Sequence, residues 1–432
     1  MWENMKSRNS ERPKVQWIFI TAILVIGASL AYFGIEIKYA FGIPYLFVFI
    51  FLCWNRPEIV LALIFSLAPF QQDIAEGGPV KFSFSELSLV LAFPTFMIKR
   101  LTRRRFPISI GPILIPTVLY FSVCLYSSWA TSQGKEALIS LIQMFLYLFC
   151  AVSIFSSLLE KKEDLILSLK GFVLVCVFLS LLVPGGPYVL GLHKNGIGGS
   201  LSCGIIACTE LWFNTENSKQ RRLLAIVCMI IAAGLLFSLS RGAWLGAVAG
   251  LFLLFALRRR FKFLLRTATV LIPIILICWN FLPQERREYA LDFRPQAYNV
   301  AARLSSIEFA KSQFQENPLY GVGVGLRKTY DATNVIWLVL AETGIAGLVT
   351  FASIYFVFFL MVWRTQAYFN RGDPLYSLLA IGSALVLDKL AHGMVDHYWS
   401  RGASMLAWAG AGMAIGVYMT MRQQLKRNRK LS

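Results

Sequence analysis

Charge is scarce in this chain. Asp, Glu, Lys and Arg make up 15% of its 432 residues, against 57% hydrophobic ones. A soluble domain carries about a quarter charged residues, so the shortage excludes a soluble enzyme of this size, and no polar segment is long enough to bury a core of its own. Histidine is scarcer still, with three in all: His193, His392 and His397. Neither His-x-x-x-His, nor an Asp-rich pair, nor Cys-x-x-Cys occurs, so no metal and no cofactor are expected. The eight cysteines all lie within apolar runs and read as small buried hydrophobes, without disulfides. Acidic residues are outnumbered 23 to 42 by basic ones. That excess sits in short loops between apolar runs, where it records membrane topology and argues against nucleic acid as a partner.

What the chain does have is apolar runs near the length that crosses about 30 Å of hydrocarbon. They extend from 16–33, through 111–129, 197–212, 264–282 and 375–391 among others, to 403–420 and predict an all-α, polytopic transmembrane bundle of about 12 to 14 spans, a single integral membrane domain over residues 1–432. Several runs are short, and those are expected to tilt, re-enter or fuse with a neighbour. Lys6, Arg8, Arg12 and Lys14 precede the first run with no small-residue cleavage site after it, which predicts a retained helix and a cytoplasmic N-terminus. Threading from there puts every dense basic cluster inside: Lys99 to Arg105, Lys161-Lys162, Lys219 to Arg222, Arg258 to Arg260, Arg364 with Arg371, and the tail Arg422 to Lys430. Both termini are then cytoplasmic. The outer loops are 71–81, 183–196, the turn at Ser240, 283–333 and 392–402, and they hold Arg241, Arg303 and all three histidines. Within 283–333, the apolar residues Leu304, Ile307, Ala310 and Phe314 recur at spacings of three and four. That pattern predicts an amphipathic helix lying on the outer membrane surface.

Several motifs stand in order along the second half: Ser240-Arg241-Gly242, Arg303, Asn317-Pro318-Leu319-Tyr320-Gly321-Val322-Gly323, Asn334, and Glu342-Thr343-Gly344-Ile345-Ala346-Gly347. The glycines at 321, 323 and 325 have no buried strand before them, so they suit a tight turn that approaches a headgroup or a neighbouring helix, not a dinucleotide. Arg241 could simply snorkel to lipid headgroups. A guanidinium is also a permanently charged planar fork that fits phosphate oxygens.

Together these marks resemble the bacterial O-antigen ligase and polymerase family, membrane glycosyltransferases that use polyprenyl-diphosphate-linked sugars. The resemblance implies about twelve spans. It also implies an inverting, metal-independent transfer or polymerisation of glycan on the outer face of the cytoplasmic (inner) membrane. Arg241 and Arg303 would meet the lipid diphosphate, and His193 and Asn334 would help to bind substrate. The implied partners are a polyprenyl-diphosphate-linked glycan donor, a glycan or lipid acceptor, membrane lipids and polysaccharide-assembly proteins. One position departs from the family: its ligases carry a histidine, the candidate base, directly before the residue matching Asn334, and here that position is Thr333. Threonine is no base near neutral pH. Asp331, His392 and Asp396 are the candidates to replace it. His392 and Asp396, four apart, would share a face if their helix continues. Two other readings stay open: a transporter or flippase, which would need ionisable groups deep in its helices, and an inactive scaffold, suggested by Thr333.

Overall fold

A backbone in hydrocarbon can satisfy its N–H and C=O groups only within a helix or a closed barrel, and the apolar runs of this chain form helices. The computed structural model describes residues 37–71, 83–102, 108–132, 134–157, 162–185, 188–190, 192–262, 283–292, 294–400 and 402–429, with scattered positions between 269 and 281. The predicted runs 16–33 and most of 264–282 lie outside the described residues, as do Lys6 to Lys14 and Cys278. Eight described helical stretches are long and apolar enough to cross a membrane: Gly111–Ala130, Lys135–Ser157, Lys194–Asn214, Ser218–Phe237, Arg241–Arg258, Val335–Tyr368, Pro374–Gly393 and Ala403–Asn428. Ile37–Asn55, Pro57–Leu67, Phe84–Thr102 and Lys162–Leu182 are further helices of the bundle, and a two-stranded hairpin pairs Tyr188–Val189 with Leu192–His193.

Short polar residues start the helices where the sequence has them. Asn217 accepts hydrogen bonds from the N–H groups of Lys219 and Gln220 at 2.9 and 3.3 Å, and Asp373 accepts from Leu375 at 2.7 Å. The core sits around Pro374–Gly393, which packs on Arg241–Arg258, on Ala403–Asn428 and on Lys194–Asn214. At one end of this group the Arg258 guanidinium is buried, ion-paired to Glu210 and donating to Ser377 and to the carbonyl of Arg371. Arg258, read from sequence as a loop charge, therefore fastens three chain segments together.

The Val335–Thr365 helix is broken at Gly344, whose backbone (φ 63°, ψ −163°) is non-helical. A break strands carbonyls before it and N–H groups after it, and in an apolar setting each needs a partner. The Asn317–Gly323 turn supplies them. Val322 and Gly323 donate to the carbonyls of Ala341 and Glu342 at 2.9 Å each, while Ile345 and Ala346 donate to the carbonyls of Pro318 and Leu319 at 2.9 and 3.3 Å. The approach is so close that a Cβ on Gly344 would lie 2.3 Å from the carbonyl carbon of Leu319, and one on Gly321 would lie 2.3 Å from that of Glu342. Of the two uses expected for the glycine-rich turn, the neighbouring helix is the one found. Glu342 itself ion-pairs with Arg327, both buried, and the Arg327 guanidinium stands 4.9 Å from the centre of the Trp399 ring.

The amphipathic helix is present as Tyr298–Glu316 and packs on the Val335–Thr365 helix. Its buried face matches the expected one at Ala310 and in part at Ile307 and Phe314, but not at Leu304. Ser306 and Ala310 are buried, while Leu304 is 45% exposed. The buried line runs through Ser306 and Ala310, with Arg303 and Ile307 half-buried beside it, because the helix docks on protein there.

Candidate functional site

At the end of the bundle opposite Arg258, six loops and helix ends line a cavity of about 580 Å³. It is lined by His193 to Asn195, by Phe237 to Leu239 with Arg241, by Glu285 and Arg286, by Ala302 and Arg303, by Thr333, and by Asp396 and His397. Helices Lys194–Asn214 and Arg241–Arg258 begin at this wall, and Val335–Thr365 begins two residues beyond its Thr333. Their N-terminal N–H groups and dipoles favour negative charge, and Arg241 and Arg303 add two full positive charges. The arrangement suits a large anion.

Arg241, first residue of its helix, donates from Nη1 to the backbone carbonyl of Asp292 at 3.0 Å, which steadies the guanidinium beside the cavity. Arg303 reaches in from the amphipathic helix, with Nη2 3.7 Å from Asp396 Oδ2. His193 ends the hairpin and caps the next helix, its Nδ1 accepting from the N–H of Asn195 at 3.3 Å. Burial and the neighbouring Lys194 lower its pKa, so it is the neutral ring near pH 7.

Asn334 is placed differently from the expectation of a substrate contact, and it does not line the cavity. Its Oδ1 caps the Val335 helix, accepting from Ile336 and Trp337 at 3.0 and 3.2 Å, and its Nδ2 donates to the carbonyl of Met394 at 2.8 Å. Asn334 ties the broken helix to the last loop.

His392 and Asp396 are together, with His392 Nε2 3.6 Å from Asp396 Oδ2, although the helix stops at Gly393 and a turn, not a continued helix, brings them close. His392 is buried at 3% exposure behind the wall, in a notch left by the missing side chain of Gly242, where a Cβ would stand 2.7 Å from its ring. It makes no contact with the cavity. Asp396 is also buried. Burial works against its charge, but His392 and His397 outweigh it and hold the carboxyl well below the usual carboxylate range. Asp331 sits beside the wall with Oδ2 3.0 Å from His397 Nδ1. Thr333 faces the cavity, and its hydroxyl is 3.1 Å from that of Ser306.

Sequence reasoning passed over His397. It is exposed on the cavity wall, paired with Asp331, and its loop is braced by Lys389, whose Nζ donates to the His397 carbonyl at 2.9 Å and to Ser400 Oγ at 2.8 Å. Partial burial opposes its protonated form, and the Asp331 carboxylate more than compensates, so its pKa is raised. The available signal was a third histidine in the last loop expected on the outer face. Asp388 and Lys389 are both buried within the Pro374–Gly393 helix. Both lie within two turns of the helix end that meets the cavity. Among the described residues no three His, Cys, Asp or Glu side chains are gathered so as to hold a metal ion.

The fold defines a multi-pass helical membrane protein, with a cavity lined by Arg241 and Arg303 at one end of its helices. Residues 224–352 match the sequence model of the O-antigen ligase family, which bears out the resemblance carried by the motifs. Comparison with curated proteins gave no match. Over that segment, under a third of its length, the chain is similar to the O-antigen ligase family. The matched segment contains Arg241, Arg303, Asp331, Thr333 and Asn334. The loop bearing His392, Asp396 and His397 lies outside it.

Proposed function

We propose that this protein transfers or polymerises glycan from a polyprenyl diphosphate onto an acceptor hydroxyl at the outer face of the cytoplasmic membrane, with both termini cytoplasmic and the whole chain one membrane domain. The observation that carries the reading is the convergence of two helix N-termini, at Lys194 and Arg241, with the guanidinium groups of Arg241 and Arg303 on one cavity. The energy for transfer is already stored in the sugar-diphosphate bond. The protein has to clamp the diphosphate, align the acceptor and take up one proton. Charge on the departing diphosphate grows as the glycosidic C–O bond breaks, and donors fixed around it stabilise that charge more than they stabilise the bound donor. An in-line displacement of this kind inverts the anomeric centre and needs no metal to hold the leaving group, because the guanidinium groups fill that role. His193, neutral and at a helix start, is suited to a sugar hydroxyl or phosphate contact.

The test is turnover by purified full-length protein supplied with a polyprenyl-diphosphate-linked oligosaccharide and an acceptor glycan, together with the surface-glycan profile of cells lacking the protein. Arg241→Lys and Arg303→Lys should each lose at least about tenfold in kcat/KM, because lysine gives a point charge where a fork is needed. Near-normal turnover in both variants would reduce the arginines to membrane anchors.

A further inference from the structure

We infer that His397 takes the proton of the acceptor hydroxyl and that Asp331 positions its ring, a base delivered from the last loop to the wall where the family's histidine is replaced by Thr333. The inference rests on the glycan-transfer reading above and supplies the proton step that it leaves open.

Place comes first. His397 lines the same cavity as Thr333, Arg241 and Arg303. A base must come within hydrogen-bond reach of the hydroxyl it serves, and of the imidazoles on the last loop, His392 is sealed behind the wall while His397 is open to the cavity. Geometry comes second. With Nδ1 3.0 Å from Asp331 Oδ2, the neutral ring donates its Nδ1–H to the carboxylate and leaves the lone pair of Nε2 for a substrate proton. A carboxylate that fixes the tautomer and favours the imidazolium is a general way to prepare such a base. The backbone is held as well: the His397 N–H donates to Asp396 Oδ1 at 2.8 Å and its carbonyl accepts from Lys389 Nζ. Asp396 is a poor alternative, because it is buried, and His392 and His397 keep it ionised and weakly basic. Asp331 stands two residues before Thr333, so the segment that has lost the imidazole keeps the group that positions its replacement.

The step balances within these groups. The acceptor oxygen forms a bond to the anomeric carbon, and the bond from that carbon to the diphosphate oxygen breaks, its electron pair leaving on the polyprenyl diphosphate. The hydroxyl proton passes to His397 Nε2 and is later released to water in the open cavity. Arg241 and Arg303 receive the charge of the leaving group.

The neutral ring is the working form, so transfer rises with pH through the pKa of His397. Asp331 and Asp396 favour its protonated form, Lys389 opposes it, and Arg303, Arg241 and His193 stand around the same cavity. Removing the Asp331 charge should move that limb to lower pH.

The experiment measures kcat, KM and the pH profile on full-length protein in lipid nanodiscs, with binding of polyprenyl diphosphate monitored separately. His397→Gln should lower kcat by about a hundredfold or more, the usual share of a general base, while polyprenyl diphosphate still binds. Asp331→Asn should lower kcat less and shift the limb to lower pH, which a purely structural carboxylate would not do. Added imidazole should restore turnover to His397→Gly, and Thr333→His should restore part of it to His397→Gln. Turnover of His397→Gln within about twofold of wild type, or an unmoved limb in Asp331→Asn, overturns the assignment. Wild-type protein that turns over no lipid-linked glycan overturns the functional reading instead, so the two failures are told apart.

Discussion

Arg303 and Asp396 show how the site divides its labour residue by residue. Asp396 is buried, its Oδ2 lies between Arg303 and His392, and it has no hydrogen-bond partner there. In the proposed function this carboxylate aims the guanidinium, so Asp396→Asn should raise the donor KM by about tenfold, the scale of one charge-assisted contact, with a smaller effect on kcat. The same carboxyl makes stability depend on pH. Its folded-state value lies below the ordinary 3.8, so its contribution is present above the unfolded pKa and is lost as pH falls through the folded one. Thermal midpoints of the detergent-solubilised protein should therefore fall on acidification below about pH 4, and less so in Asp396→Asn than in wild type. The Arg327–Glu342 pair behaves differently, because both partners are buried and nearly enclosed. Glu342→Ala leaves an unpaired buried cation and should cost about 3–5 kcal/mol. Replacing both residues together, as Arg327→Met with Glu342→Leu, should cost much less, which a thermal-shift series would read directly.

Among the elements, the broken helix and the turn that stitches it decide whether the site exists. Gly344 has the positive φ that a side chain resists, and it also lies against the Leu319 backbone. Gly344→Ala should therefore separate the turn from the helix, giving low yields of folded protein on size exclusion, whereas Ile345→Ala, at an exposed neighbour, should be tolerated. The interlock also explains why Asn-Pro-Leu-x-Gly-x-Gly and Glu-Thr-Gly-Ile-x-Gly occur in one chain. Each motif supplies the hydrogen-bond partners that the other leaves exposed, and neither touches the cavity. Their product is a fixed position for the start of the Val335 helix, and through Asn334 for the last loop.

For the whole molecule, alternation of the helices gathers the loops at 193, 239, 285, 303, 333 and 397 at one end, and Arg259 and Arg371 at the other. In a background lacking the native cysteines, Ala302→Cys and His397→Cys should react with an impermeant thiol reagent applied to spheroplasts. Arg259→Cys and Arg371→Cys should react only after the membrane is opened. The reverse pattern would invert the proposed orientation. His392, an obvious probe from sequence, is unsuitable because its side chain is enclosed.

The sequence by itself determined the helices, since hydrocarbon leaves the backbone few alternatives: the runs expected at 111–129, 197–212 and 375–391 appear as Gly111–Ala130, Lys194–Asn214 and Pro374–Gly393. It also determined the two arginines and the likeness to the ligase family, because short motifs around charged residues are local in the chain. Only the tertiary structure decided which polar groups meet. Asp331 and His397 are separated by the whole of the Val335 and Pro374 helices, and their 3.0 Å pairing comes from the packing of those helices and not from any spacing along the chain. The same packing seals His392 behind Gly242 and turns Asn334 inward to Met394. A side chain's residue type shows what chemistry it can do, but its access to a cavity depends on every element around it.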